Sequence, residues 1–567
     1  MEIDRLKITP VYRNLILYQL IFPISLLTLG IYHGLIQTFY RAGWIRSNSF
    51  LGLEYYQGLT LHGVINAVVF TTFFAVGFGN VIILYYLKKN FSALWGWIAG
   101  LMMGVGTLIT AGAILSGTSS VLYTFYPPLK AHPTFYIGAV LLVVGSWIAF
   151  FSWIPVYRQW KKENPQQKTP LAVVGIIATF IVWLSATLPL AYEVLGLLLP
   201  WSMGFVPEIN VTLARTLFWF FGHALVYFWL LPAYLMYYVF LPKLAGGKLF
   251  SDFAGRLAFL TFIVLSAPVG LHHQLTDPGI GEKWKWLHAI FTFGVAFPSF
   301  LTAFTLAASL EIAGKMRGGR GLFQWWSKLP YLDEDRWLFS YLFVGLVIFI
   351  FGGVTGIVNA SVSMNSLVHN TAWMPGHFHM TVGGPVFLAF IGMSLFLISQ
   401  LSGKRIRYKK AVLAVPYLWL FGIVIFSTSL SISGILHNEP RRTNMGLTYT
   451  NPSSPLFDSG WHLSAVFTAV GGILMTFAMI FYFISFISTL LAKREHESII
   501  ELPTSESFHD EQIPFVQSFK PYILMMILAL LFAYVPPLLE IPKNAPFTSS
   551  PFVTDSPISP QKENPKP

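Results

Sequence analysis

Two histidines separated by one residue, His377 and His379, begin a long apolar run of the sequence. Each residue of an α-helix turns by about 100°, so these two side chains would point about 200° apart. One helix could therefore offer an imidazole to a group on each of its two sides. Imidazole is a common ligand for haem iron and other metals. Taken alone, the pair could equally consist of two ordinary polar residues near a membrane interface.

Four further histidines fall at the same depth of the apolar segments. His62 and His223 each lie inside an apolar run, and His272 and His273 are adjacent at the end of another. A single buried histidine is more often a hydrogen-bonded core residue than a ligand. Ionisable side chains inside a bilayer are costly and usually functional, so six histidines at one depth favour metal binding.

Six imidazoles are sufficient for two kinds of metal site. Three of them, His223, His272 and His273, would suit copper and leave a coordination position open. The other three could serve two haems, one held by two histidines and one held by a single histidine. Tyr227 follows His223 by four residues on the same helical face, where a phenol could supply an electron and a proton together. Simple aromatic packing is the alternative for Tyr227.

The composition requires these groups to lie in a membrane protein. Hydrophobic residues make up 55% of the 567 residues, charged residues make up 11%, and the mean hydropathy is +0.62. The net charge of +12 lies in loops between apolar runs and does not indicate nucleic-acid binding. The chain contains no cysteine, which excludes disulfides, iron–sulfur clusters and thiolate copper sites within it.

The apolar runs predict an all-α polytopic membrane protein with about thirteen transmembrane helices in a single domain, residues 1–567. Core helices occupy 14–492, an extra C-terminal helix occupies 521–540, and a Pro-rich tail follows over 541–567. The acidic stretch 497–511 is expected to be a solvated loop. The predicted spans are 14–36, 59–87, 93–117, 134–158, 170–199, 212–241, 254–273, 285–311, 338–360, 373–401, 410–436, 464–492 and 521–540.

Loop charge orients these spans in the lipid bilayer. When the N-terminus is placed inside, the inside segments hold most of the 36 lysines and arginines. Basic residues accumulate in cytoplasmic loops, so a cytoplasmic N-terminus is predicted, and a bacterial cell membrane is the simplest location. No signal-peptide pattern precedes the first span, which is expected to be retained. All six histidines then lie towards the outer surface.

Hydroxyl side chains form two rows that lead inward from the predicted metal site. Tyr234 and Tyr238 share one helical face with Tyr227. Such rows can hold a chain of waters at a modest desolvation cost, although hydroxyls that bond only to their own helix are the alternative. The second row repeats at every third residue of the eighth span and consists of Ser299, Thr302 and Thr305.

Three segments resemble the metal-binding motifs of subunit I of the haem–copper respiratory oxidases. They are residues 219–227 (WFFGHALVY), 268–274 (PVGLHHQ) and 375–379 (PGHFH). The resemblance continues through 121–128 (VLYTFYPP) and 307–311 (AASLE), and it extends from the second to the twelfth predicted span. Among these oxidases, the sequence is most similar to the B-family, the ba-type cytochrome c oxidases.

The resemblance implies two haems and a copper. His62 and His379 would be the axial ligands of a low-spin haem of type B, and His377 would hold a high-spin haem of type A or O. Histidine ligation itself fixes the iron and not the ring substituents. O2 would be reduced to water between the high-spin iron and copper B, with protons pumped outward. The copper ligands would be His223, His272 and His273, with Tyr227 covalently joined to His223.

The resemblance also implies partners for the chain. Cytochrome c would be the electron donor, through a subunit II that carries a binuclear copper centre. Because this chain has no cysteine, such a centre must lie in a partner. A quinol oxidase of the same superfamily would lack that centre, and the sequence does not separate the two donors.

Charged residues near the outer surface are expected to surround the haem propionates. The family uses an arginine pair for this purpose, and Arg441 and Arg442 match it, although a solvated loop pair is the alternative. Arg215 and Asp277 are expected in the same layer. The two hydroxyl rows match the B-family proton channel, which favours a proton path through them.

Three positions depart from the patterns of these families. Leu225 replaces the glutamate that ends one proton channel in the larger A-family, so that channel is expected to be absent. Ala224 replaces a proline without removing a ligand. Asn365 stands where a near relative would have an acidic residue, which leaves His369 as the candidate proton-loading group.

Two other functions are alternatives to the oxidase. A nitric-oxide reductase would need non-haem iron, extra glutamates and no tyrosine, whereas this sequence has Tyr227 and Leu225 at those motif positions. A secondary transporter with proton-relaying histidines would show an inverted repeat, and none is obvious in the sequence.

Overall fold

The computed structural model describes residues 5–45, 53–441, 451–511 and 513–545, which form a helical bundle. Twelve helical runs within these ranges are long and apolar enough to cross a membrane. The predicted all-α bundle is therefore confirmed. Its helices are α1 (Pro10–Arg41), α2 (Tyr55–Gly63), α3 (Phe70–Leu87), α4 (Ala93–Leu115), α5 (Pro133–Glu163), α6 (Leu171–Tyr192), α7 (Leu199–Ser202), α8 (Val211–Val239), α9 (Leu241–Ala245), α10 (Asp252–Ser266), α11 (Glu282–Gly294), α12 (Ala296–Met316), α13 (Trp337–Ala360), α14 (Val362–Val368), α15 (Trp373–Phe378), α16 (Phe387–Ser402), α17 (Lys409–Leu436), α18 (His462–Leu491) and α19 (Lys520–Asn544).

The centre of the bundle can be recognised by burial. In the helical runs Tyr55–Leu87 and Val211–Val239, 94% and 89% of the most apolar 18-residue stretch is buried, whereas in α19 only 28% of that stretch is buried. A membrane helix that is buried on almost every side is surrounded by other helices, whereas a helix with a large exposed apolar face contacts lipid. The central helices α2, α3 and α8 therefore keep the polar groups that they carry away from the lipid.

Short strands close one end of the bundle, which we call the strand face. They are β1 (Leu6–Lys7), β2 (Leu249–Ser251), β3 (Ile499–Ile500) and β4 (Ser507–His509). β1 pairs with β3 in antiparallel orientation, and β2 pairs with β4 in parallel orientation.

The acidic stretch 497–511 is not the solvated loop that the sequence predicts. Besides the strand pairing, the Ser505 N–H donates to the Val239 carbonyl at 2.8 Å. Lys248 pairs with Glu506 at 2.8 Å, and its hydrogen bond lowers the pKa of the Glu506 carboxyl. Exposed ion pairs contribute little, so the backbone pairing holds this segment on the strand face. Its partners are distant in sequence, which is why local composition did not indicate the pairing.

The seventh predicted span, 254–273, is too long. α10 ends at Ser266 after 15 residues. Pro268 lacks a backbone N–H and disfavours helical geometry in the residue before it, so the helix cannot continue. The chain then forms a 3₁₀ turn over Leu271–Gln274, which carries the two adjacent histidines. The eighth span, 285–311, is divided between α11 and α12.

Three segments of π-helix interrupt the bundle in the described ranges, and two of them adjoin predicted ligands. Val64–Val69 begins two residues after His62, and His379–Val386 begins at a predicted ligand itself. The third is Glu193–Leu198. π-turns are rare and concentrate at functional sites. The first two change the direction in which the neighbouring side chains point, which helps to turn the ligands towards a common space.

Candidate metal centres and proton path

All six predicted histidine ligands line one cavity of about 640 Å³ near the end of the bundle opposite the strand face. The walls come mainly from α1, α2, α8, α12, α13, α15 and α17, and most of the lining side chains are apolar. The structure therefore brings together residues that lie more than 300 positions apart in the chain. They are His62, His223, His272, His273, His377 and His379.

Two of these rings face each other across the cavity. The ring centres of His62 and His379 are 6.1 Å apart and their planes differ by 21°. Nδ1 of His62 lies 2.7 Å from the carbonyl oxygen of Gly30, and Nδ1 of His379 lies 2.7 Å from that of Pro375. Both Nδ1–H groups therefore donate to backbone, which leaves both Nε2 atoms free to bind a metal.

This spacing fits an iron with two axial imidazoles. Two imidazoles bound to one iron through bonds of about 2 Å place their ring centres roughly 6 Å apart. The small residue at position 34 makes room for this arrangement, because a Cβ on Gly34 would lie 2.7 Å from the His62 ring. The chemistry and spacing of the pair thus suit a six-coordinate, closed haem iron.

Three other imidazoles form a compact cluster beside this pair. Each of His223, His272 and His273 offers a ring nitrogen, and these atoms lie within 4.8 Å of one another. Nδ1 of His223 and Nε2 of His273 are 3.2 Å apart. Two nitrogen ligands at about 2 Å from one metal lie roughly 3 Å apart, so the cluster fits a single ion. Trp219 stacks on His273 with ring centres 4.1 Å apart, which fixes that ring.

Threonines on neighbouring helices orient two of the histidines. The Thr292 hydroxyl donates to a backbone carbonyl at 2.7 Å and accepts from Nδ1 of His272 at 3.0 Å. In the same way, the Thr355 hydroxyl donates to a backbone carbonyl at 2.7 Å and accepts from Nδ1 of His377 at 2.8 Å. Nε2 of each ring is thereby left for a metal, and such outer partners tune metal sites.

Tyr227 lies beside the cluster, as its spacing predicts. Its ring centre is 5.0 Å from that of His223. Nε2 of His223 is buried without a hydrogen-bond partner. An unpartnered nitrogen in this position is compatible with the predicted covalent bond to Tyr227, which stays a prediction.

The two hydroxyl rows come together between α8 and α12. Tyr238 donates to the Thr302 hydroxyl at 2.9 Å, and Tyr234 faces Ser299. The Thr302 and Thr305 hydroxyls also donate to carbonyls of their own helix. Of the row, Tyr227, Tyr234, Ser299 and Thr302 line the cavity. The hydroxyls thus form a row directed towards the strand face. Those of Thr302 and Thr305 also make the bonds within their own helix that were the alternative interpretation.

A charged layer lies above the histidine pair, away from the strand face. Arg441 lines the cavity and is joined to Asn370 through its backbone N–H at 2.8 Å. Arg442 lies outside the described residues. Arg215 and Asp277, which were expected in this layer, form an ion pair at 3.1 Å.

A second, buried ion pair in this layer was not predicted from the sequence. Arg41 and Glu439 are 3.4 Å apart, with side chains only 10% and 4% exposed, and Arg41 lines the cavity. Both residues lie just beyond the ends of predicted spans. A charged residue next to an apolar run was the only feature of the sequence that could have indicated this pair. Thr292 and Thr355 were missed because a threonine in a membrane helix gives no signal of its own.

Asn365 is buried near the same layer. Its amide nitrogen donates to the Asn359 carbonyl at 2.7 Å, and its amide oxygen has no partner. His369 follows one turn later and bonds back to the Asn365 carbonyl through its own N–H at 2.8 Å. An uncharged amide thus occupies the position where an acid was expected, and the role of His369 stays a prediction.

Comparison with known proteins agrees with this geometry. Residues 14–474 match the model of the cytochrome c and quinol oxidase polypeptide I family. The chain belongs to that family. It is 43% identical over 461 residues to cytochrome c oxidase subunit 1 of Thermus thermophilus, and this alignment covers 79% of each chain. It is also 26% identical over 488 residues to a probable quinol oxidase subunit 1 of Staphylococcus haemolyticus, covering 80% of this chain and 66% of the other.

A solved structure shares nearly the whole fold. A chain from the cryo-electron microscopy structure of a haem–copper terminal oxidase dimer superposes with a TM-score of 0.94 at 50% sequence identity. The match covers 98% of this chain and 96% of that chain. Membership of the family and the multi-pass membrane bundle predicted from the sequence are therefore confirmed.

Proposed function

We propose that the chain is the catalytic subunit of a terminal respiratory oxidase. It takes electrons from cytochrome c, reduces O2 to water, and couples this reaction to proton transport across the membrane. The observation that carries this proposal is that one cavity contains both a facing histidine pair and a three-imidazole cluster beside a tyrosine. The 43% identity to a cytochrome c oxidase subunit favours cytochrome c over quinol as the donor.

The histidines divide into sites for three cofactors. His62 and His379 would hold a low-spin haem of type B, and His377 would hold a high-spin haem of type A or O. The three-imidazole cluster would hold copper B. When bound, the high-spin iron and copper B supply the redox centre at which O2 is reduced. The residues' own task is to present free nitrogens at fixed positions, which hydrogen bonds at Nδ1 achieve for His62, His272, His377 and His379.

The remaining residues would supply and remove protons. Reduction of one O2 to two waters requires four protons and four electrons, so a proton source next to the site is necessary. Tyr227 would hold a proton at its hydroxyl beside the cluster. The row of Tyr234, Ser299, Tyr238, Thr302 and Thr305 would pass protons from the strand face, because neutral hydroxyls can order water at a low desolvation cost.

Arginines would bind the acidic edges of the haems. Arg441 and Arg442 suit the propionate carboxylates, because a guanidinium can bind a carboxylate in a bidentate manner. His369 is the candidate proton acceptor on this side, since Asn365 cannot ionise. The buried Arg41 adds a third cation that lines the same cavity.

The proposal also specifies an assembly and a location. Subunit II would carry the binuclear copper centre, because this chain has no cysteine to build one. The chain would form one membrane-embedded domain, with the N-terminus and the strand face on the cytoplasmic side of a bacterial cell membrane. Most of the basic residues lie in the loops on that side.

The deciding experiment combines metal analysis with substrate choice. The purified complex should contain two haem irons and copper B for each copy of this chain, and it should consume O2 with reduced cytochrome c. Two further coppers would reveal the partner with a binuclear centre. O2 consumption with quinol only, without the extra coppers, would replace cytochrome c by quinol as the donor. Protein without haem or copper would refute the oxidase.

A further inference from the structure

The C-terminal helix α19 reaches the copper-ligand segments, although the family model ends at residue 474. Tyr534 on this helix stacks face to face on Phe220, with ring centres 3.7 Å apart and planes 4° from parallel. Phe220 lies on α8, one turn before His223. Helix α19 therefore packs directly on the element that carries one predicted copper ligand.

A proline in α19 frees a carbonyl that faces the site. In an α-helix, each N–H bonds to the carbonyl four residues earlier, so residue 537 would bond to Ala533. Pro537 has no N–H, which leaves the Ala533 carbonyl without its helical donor. Nε2 of His288 fills this place and donates to the Ala533 carbonyl at 2.9 Å. Both residues are fully buried.

The other side of His288 holds the turn that carries two predicted copper ligands. Its Nδ1 accepts a hydrogen bond from the Leu271 N–H at 3.3 Å, one residue before His272. The backbone carbonyl of His288 accepts from the Thr292 hydroxyl, and that hydroxyl in turn binds Nδ1 of His272. His288 is therefore linked to His272 by two routes, one through the turn and one through Thr292.

Tyr534 closes the remaining gap around this turn. Its ring meets His288 edge to face, with ring centres 4.8 Å apart and planes at 82°. Its hydroxyl lies against Gly270, where a Cβ would collide with both this hydroxyl and the Trp219 carbonyl. The turn is thus enclosed between α8, α11 and α19, with little room for movement.

We propose that His288 and Tyr534 are positioning residues for the copper site, and that α19 fixes the Leu271–Gln274 turn through the carbonyl freed by Pro537. This inference rests on the proposed function, because it requires copper to bind the three-imidazole cluster. Because Pro268 prevents α10 from continuing, the two histidines lie on a single short 3₁₀ turn, in which the His273 N–H bonds to the Gly270 carbonyl at 3.0 Å. The contacts from α11 and α19 hold this turn in place.

Copper retention in the purified holoenzyme tests the proposal. The protein is incubated with a copper(I) chelator after reduction, and the copper left per haem iron is followed over time. His288→Leu removes both side-chain hydrogen bonds and should release copper on the order of 10-fold faster, the scale of an outer ligand partner. His288→Gln can still donate and accept, and should restore retention to within about twofold of the parent.

A pair of proline variants isolates the freed carbonyl. Pro537→Ala supplies an N–H that competes with His288 for the Ala533 carbonyl, and it should also speed copper loss. Pro536→Ala is the matched control, because it returns an N–H to the Phe532 carbonyl, which His288 does not use. Pro537→Ala leaves the imidazole in place, so it still tests the idea if His288→Leu does not fold.

The results separate this inference from the proposed function. If the parent protein holds no copper at the cluster, the proposed function itself fails. If the parent holds copper, but His288→Leu and Pro537→Ala retain it as well as the parent with both haem spectra intact, only the positioning role is overturned. Equal copper loss in Pro536→Ala and Pro537→Ala would likewise overturn the role of the freed carbonyl.

Discussion

His62 and His379 face each other with ring centres 6.1 Å apart, and each ring is anchored to the backbone of a different helix. Gly30 on α1 holds the first ring, and Pro375 on α15 holds the second. Neither imidazole can rotate without breaking a buried hydrogen bond, and an unpaired buried polar group is costly. The pair is therefore held in the arrangement that the proposed low-spin haem site would need.

Loss of either ring should remove one haem and leave the other. In His62→Leu the proposed low-spin haem would lose one of its two histidine ligands, so we expect the haem content to fall from two to one per chain. Pyridine haemochrome analysis and the optical spectrum of the reduced protein measure this loss. His496→Ala, an exposed histidine on the strand face, is the control and should keep both haems. Two intact haems in His62→Leu would show that the low-spin ligands lie elsewhere.

Removal of one imidazole from the cluster should abolish copper binding selectively. In His272→Ala only two ring nitrogens remain at the site, which is too few to hold copper in competition with water. We expect copper B to be lost, both haems to be retained, and O2 consumption to fall to background. Metal analysis and an oxygen electrode provide the two measurements. Full copper occupancy together with normal turnover would exclude the cluster as the copper site.

Residue types and the positions of the predicted spans were sufficient to predict that the six histidines lie together. Histidines are rare in apolar runs, so their common depth was informative, and the Tyr227 spacing placed it beside His223 correctly. The end of α10 was missed, although Pro268 is a recognisable helix breaker. The pairing of Arg41 with Glu439 was beyond reach, because nothing in either local sequence specifies a partner almost 400 residues away.

The extent of the hydroxyl row illustrates the same limit. A spacing of three or four residues indicates that hydroxyls share a face, but not which neighbouring helix that face meets. The structure supplies this information, because Tyr238 on α8 donates to Thr302 on α12. By contrast, Tyr237 is adjacent in sequence, yet its hydroxyl points the other way and donates to the Pro385 carbonyl at 3.3 Å.

The contrast between the two tyrosines provides a test of the proton path. Tyr238→Phe and Thr302→Val each break the hydrogen bond between Tyr238 and Thr302, so we expect turnover to fall on the order of 100-fold, the lower end of the range for a lost proton-transfer group. The haem spectra should stay unchanged, because neither residue touches a predicted metal ligand. Tyr237→Phe is the control and should keep nearly full turnover.

Oxygen consumption measures turnover, and the rate of haem oxidation in a single turnover measures the step that needs protons. Slower rates with unchanged haem spectra indicate impaired proton delivery, whereas altered haem spectra indicate damage to the fold. Parent-like turnover in both Tyr238→Phe and Thr302→Val would refute the path. An equal loss in Tyr237→Phe would point to packing of α8 instead of proton transfer.

The buried pair of Arg41 and Glu439 predicts an asymmetric response to mutation. The two side chains are nearly inaccessible, and one carboxylate oxygen of Glu439 has no partner beyond the ion pair. In Arg41→Leu the carboxylate would be left buried without its counter-charge, which costs about 3–5 kcal/mol. The double variant Arg41→Leu with Glu439→Gln removes the charge as well and should recover most of this loss, because a neutral amide needs no counter-charge.

The midpoint of thermal unfolding, followed by haem release, measures the stability of the parent and of these variants. Equal stability of Arg41→Leu and the parent would mean that water reaches Glu439, and a double variant as unstable as Arg41→Leu would assign the loss to Arg41's bond with the Pro440 carbonyl instead of its charge.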